Sequence, residues 1–88
     1  MMRLRPARGI AVVEEGDVVY AATLPDGPII VLDGGAAAIW VAACGGPRTS
    51  IAERVAAATD VPVDTVRPDV EAFVGELVDR GLLEPHAA

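Results

Sequence analysis

Few residues in this chain have types that could carry covalent or proton-transfer chemistry. They are Cys44, His86, the adjacent pair Glu14-Glu15, and the acids Asp64, Asp69 and Glu71. A cysteine nucleophile needs a partner base and a depressed pKa, and a metal centre needs several ligands at fixed spacing. Cys44 is the one cysteine and His86 the one histidine, so neither an internal disulfide nor a Cys/His ligand set can form. The chain has no lysine, which removes the phosphate-binding loop that ends in Gly-Lys. His86 lies close to the C-terminus, where a frayed tail would not hold a general base in place. Cys44 ends an alanine-rich stretch and is expected to be a small buried hydrophobe. Glu14-Glu15 flank a turn, and the other acids gather at the start of a helix, where they complement its dipole. Trp40 falls on an apolar helix face and is expected in the core. The sequence therefore predicts no enzyme, no catalytic residue, no metal site and no cofactor.

The elements that would position a site follow from periodicity. Ile10 to Glu14, Val18 to Leu24 and Ile29 to Leu32 are β-branched or apolar runs separated by Glu15-Gly16 and by Pro25-Asp26-Gly27-Pro28. Proline sets φ and glycine frees it, so both separators read as tight turns and the three runs as an antiparallel meander. Helices follow. Asp33 has the type of an N-cap, and Ala36, Ile39, Trp40 and Ala43 share one face. Gly45-Gly46-Pro47 ends that helix. Ser50 and Glu53 have the spacing of a capping box for a second helix through Val55 to about Ala58. Val66, Val70, Phe73, Val74, Leu77 and Val78 form the stripe of a third helix that stops at Gly81. Pro68 is expected in its first turn or at its true start, because deeper in it would remove a backbone bond. The fold class is α+β, three strands followed by three helices. One domain over 1–88 is expected, with an ordered core of about 9–84, short flexible termini, and Leu82-Leu83-Glu84 as a closing strand or a segment that packs back.

The 88 residues carry a net charge of -6, with thirteen acids against seven arginines. Arg3, Arg5 and Arg8 crowd the N-terminus, so the rest of the chain is more acidic still. Such a body repels phosphate backbones and suits a partner with basic segments. No apolar run has the length of a signal peptide or a membrane span, so a cytoplasmic protein with no membrane partner is expected.

Two features point to binding. Ile29-Ile30-Val31-Leu32 is apolar on both faces, yet it is an edge of the meander, and its open backbone row needs partners. An incoming peptide strand would supply them. So would the chain's own Leu82-Leu83 segment, or a second copy. The other feature is the third-helix stripe, which holds more large apolar residues than a small sheet and two short helices cover. Val70, Phe73, Val74 and Leu77 are candidates for the wall of a groove beside the third strand.

The stretch Ile30 to Leu83 resembles the PqqD family and the wider group of RiPP recognition elements. Val31-Leu32-Asp33-Gly34-Gly35-Ala36-Ala37-Ala38-Ile39-Trp40 is similar to that family's strand ending in Leu-Asn, followed by a small-residue helix with an Ile-Trp pair. Gly46-Pro47-Arg48-Thr49-Ser50 resembles its Gly-x-Arg-Thr turn. Asp69 to Leu77, with Gly81-Leu82-Leu83, resembles its third helix. Asp33 stands where Asn is usual, Arg54 where an apolar residue is common, and Pro68 is unusual so close to Asp69. The resemblance implies a winged helix-turn-helix-like fold. It also implies a module that binds the leader segment of a precursor peptide as an added strand. The module would present that peptide to a radical SAM enzyme, cyclase or leader peptidase. Carried over by position, the contacts would come from Ile29, Ile30, Val31, Leu32 and Asp33, and from Val66, Arg67, Val70, Phe73, Val74 and Leu77. Two alternatives share this fold: a winged-helix DNA-binding regulator, which the acidic third helix disfavours, and a homodimerisation module that uses the same edge.

Overall fold

The computed structural model describes residues 2–87. The elements are β1 (Met2–Pro6), β2 (Ile10–Glu15), β3 (Val18–Thr23), β4 (Ile29–Asp33), α1 (Gly34–Cys44), a 3-10 turn (Arg48–Ser50), α2 (Ile51–Thr59), α3 (Val63–Asp79) and β5 (Leu83–Ala87). The fold is α+β. The predicted meander is the antiparallel sheet β2-β3-β4, followed by three helices, and a second, two-stranded sheet pairs β1 with β5.

Side chains alternate across each strand, so the register decides what the central sheet buries. Its inner face carries Val19, Ala21 and Leu32, all buried. These pack towards α1, whose Trp40 is 1% exposed at the centre of the core. Emptying a site that well filled costs roughly 3–5 kcal/mol for an aromatic cut to alanine. Helix α1 is apolar almost all round, and it contacts β1, β3, β4, α2 and α3.

Helix α3 ends as its sequence predicts. Gly81 has φ 74, the Gly81 N–H donates to the Val78 carbonyl at 3.0 Å, and the Leu82 N–H donates to the Leu77 carbonyl at 2.9 Å. That is the Schellman arrangement, with buried Leu82 and Leu77 as its apolar pair. The start differs from expectation. Helix α3 begins at Val63, so Pro68 lies in its second turn and leaves the Asp64 carbonyl without its helical donor. Both residues are exposed, so water can take the bond.

The termini also differ from expectation. The tail from Pro85, expected to fray, is part of β5 as far as it is described, and β1 was not foreseen. The two strands pair from Met2↔Ala87 to Pro6↔Leu83. Buried Leu4 and Leu83 pin this sheet to the core. Glu84 accepts from the Arg5 guanidinium at 2.9 Å and from the Arg8 backbone N–H at 2.8 Å. These contacts hold the Glu84 carboxyl below the usual carboxylate range, the Arg8 N–H foremost.

The helix caps were expected from Asp33 and Ser50. Both occupy N-cap positions, and neither side chain makes a capping bond. Ser50 instead accepts from Arg54 Nη1 at 2.7 Å. Glu53 takes no part in a capping box. It pairs with Arg67 at 3.3 Å.

Candidate functional site

The C-terminal strand settles which edge stays open. Because β5 pairs with β1, it does not cover β4. Strand β4 is hydrogen-bonded to β3 on one side, and among the described residues no strand pairs with its other side.

The bonding parity of that edge follows from two contacts. The Thr23 N–H donates to the Pro28 carbonyl at 3.2 Å, just before β4, and the Leu24 N–H donates to the Gly9 carbonyl at 2.8 Å. Bonded and non-bonded pairs alternate along an antiparallel ladder. Counting from Thr23↔Pro28, the backbones of Ile30 and Leu32 face β3, and those of Ile29 and Val31 face the open side, whereas the Asp33 carbonyl, at the N-cap, belongs to α1. The same alternation places the side chains of Ile30 and Leu32 inward and those of Ile29 and Val31 outward. Leu32 is buried, whereas Ile29 is 67% and Val31 56% exposed.

Strand β2 is the other outer strand of this sheet. It carries Glu14 and Glu15, and charges on an edge oppose strand addition. Strand β4 has no charge before Asp33.

The expected α3 residues divide sharply. Val74 and Leu77 are buried in the core. Val70 is equally buried, but with Val66, Asp69, Gly35, Ile39 and Val55 it lines a cavity of about 230 Å³ among α1, α2 and α3. Val66, Phe73 and Arg67 are half-buried. Helix α1 is the helix in extensive contact with β4. Ile39 lines that cavity, while Trp40, next to it on α1, is buried in the core.

A larger cavity, of about 550 Å³, lies on another flank of α1 beneath the β2–β3 turn. Its walls are mostly small residues, with Glu14, Asp17 and Arg54 as the charged members. Each nitrogen of Arg54 donates one bond: Nε to the Ala42 carbonyl at 2.9 Å, Nη1 to Ser50, and Nη2 to the Pro47 carbonyl at 2.9 Å. It closes the end of α1.

Cys44 is exposed, not buried as expected. Partial burial of its thiol pushes the pKa up, and the Glu14 carboxylate adds to this. Such a thiol is a poor nucleophile at neutral pH. His86 sits in β5 opposite Arg3.

The family model for coenzyme PQQ synthesis protein D (PqqD) matches residues 11–83. The chain belongs to the PqqD family. The match takes in the whole of β3 and β4, all three helices and nearly all of β2, and leaves β1 outside it. The role of this PqqD-family chain is an accessory one in PQQ or RiPP biosynthesis. No curated protein and no solved structure matches the chain. No helix among the described residues is long and apolar enough to cross a membrane.

Proposed function

We propose that this chain binds the leader segment of a ribosomally made precursor peptide by strand addition to β4 and presents it to a separate modifying enzyme. The observation that carries the proposal is the open side of β4, where Ile29 and Val31 turn their backbone groups outward. A guest strand there completes the ladder. Its inward side chains lie beside Ile30 and Leu32, with Val66, Arg67, Val70 and Phe73 on α3 as further candidate contacts. Backbone bonds and a few apolar anchors give binding on the order of -8 kcal/mol, a dissociation constant of about 1 μM. The chain supplies no chemistry to the peptide. The partner enzyme, of the radical SAM, cyclase or peptidase kind, does so.

The test is a proline at Val31. The Val31 N–H faces away from β3, so Val31→Pro removes a bond to the guest and none within the sheet. Calorimetry with the leader segment of the precursor encoded beside this chain should show binding to the wild type and none to the variant. Unchanged affinity in a folded variant would refute strand addition. Sedimentation without peptide separates this reading from a homodimer built on the same edge, which would associate with no peptide present.

A further inference from the structure

Antiparallel sheets with one solvated face usually carry polar residues on that side. The middle of the outer face here does not. Val13, Tyr20 and Val31 lie directly opposite one another across β2, β3 and β4, and are 58%, 38% and 56% exposed. Ile29 lies beside Val31 on the same face. A contiguous exposed apolar surface of this kind marks an interaction site.

The parity of β4 connects this row to its open edge. Ile29 and Val31 present both their side chains to the outer face and their backbone groups to a guest. In an antiparallel pair, a guest residue opposite Val31 exchanges both backbone bonds with it, at a Cα separation of about 5.5 Å. Its side chain then lies on the same outer face as Val31 and becomes the fourth member of the row. The guest residue opposite Ile29 does the same.

The end of the row carries charge. Asp33 is on the outer face, exposed, and makes no capping bond, and its carboxylate has no ion pair among the described residues. Glu15, opposite Val18 in the same cross-strand row, is also exposed. A cation on the guest would meet Asp33, on the neighbouring strand, while Glu15 lies two strands farther off on β2.

We propose that the guest strand is read on both of its faces, as a basic residue followed by four apolar ones. This rests on the docking reading above. The basic residue faces Asp33. The first and third apolar residues point inward beside Leu32 and Ile30, and the second and fourth point outward beside Val31 and Ile29. Because β4 runs from Ile29 to Asp33, an antiparallel guest places its cation on the N-terminal side of the apolar run.

Three fluorescein-labelled peptides test this by anisotropy: Gly-Ser-Arg-Leu-Val-Leu-Val-Gly-Ser, the same peptide with both valines replaced by serine, and the same with its arginine replaced by glutamate. The first should bind most tightly. The serine peptide should bind about tenfold more weakly, equivalent to about 1.4 kcal/mol. The glutamate peptide should also bind more weakly to the wild type, and that difference should vanish in Asp33→Asn. If the serine peptide binds as tightly as the first, and Val31→Pro abolishes both, docking stands and recognition on the outer face is overturned. If arginine and glutamate peptides bind alike to the wild type, the role of Asp33 is overturned. If none of the three binds, the docking reading falls too.

Discussion

The Nε of Arg54 donates to the carbonyl of Ala42 across 2.9 Å, so a side chain of α2 caps the C-terminal end of α1. The same guanidinium holds Ser50 and the Pro47 carbonyl, and the glycines before Pro47 make room for it. A Cβ at Gly46 would lie 2.8 Å from Arg54 Nη1. Arg54→Ala should therefore destabilise the fold by about 2–3 kcal/mol in urea unfolding. Gly46→Ala should cost less, and the double variant should cost no more than Arg54→Ala alone, because the guanidinium is what the new methyl displaces.

Glu84 ties β5 to Arg5 and to the Arg8 backbone, and its pKa is lowered in the folded state. A lowered carboxyl stabilises the fold above its unfolded-state pKa, and that contribution is lost as pH falls through the folded value. Glu84→Gln should therefore lower Tm at neutral pH. The gap to the wild type should close in acid, once both chains are neutral at this position, as followed by thermal unfolding across a pH series.

Pro68 interrupts the second turn of α3 at an exposed position. Pro68→Ala restores an N–H aimed at the Asp64 carbonyl. Stability should rise by about 1–2 kcal/mol in denaturant unfolding, below the full helix-propensity difference because proline also restricts the unfolded chain. Peptide binding should not change.

The meander and the three helices were legible because their signals are local. β-branched runs punctuated by Gly and Pro gave β2, β3 and β4, and the stripe from Val66 to Val78 gave α3. The sheet made by β1 and β5 was not legible. Its strands lie at opposite ends of the chain, and Leu4 is one buried residue between two exposed arginines, too short a pattern to read as a strand. The side-chain caps failed for a related reason. Ser50 has the right spacing to Glu53, but Arg54 and Arg67, placed by tertiary packing, take both side chains. At the candidate site the apolar edge of β4 could be read from four residues in a row. Which α3 residues stay accessible could not, because Val66 and Phe73 share a stripe with Val74 and Leu77 and only packing separates them. Cys44 was misplaced because the composition of α1 says that the helix is buried without saying which side of its last turn is not.

Amide hydrogen exchange at Ile29 and Val31 tests strand addition most directly, since these are the β4 residues whose N–H groups face the open side. In the free protein both amides should exchange quickly while those of Ile30 and Leu32 are protected. With saturating leader peptide, Ile29 and Val31 should become protected as well. Fast exchange at both positions in a complex shown by calorimetry to be fully formed would mean that the peptide docks elsewhere.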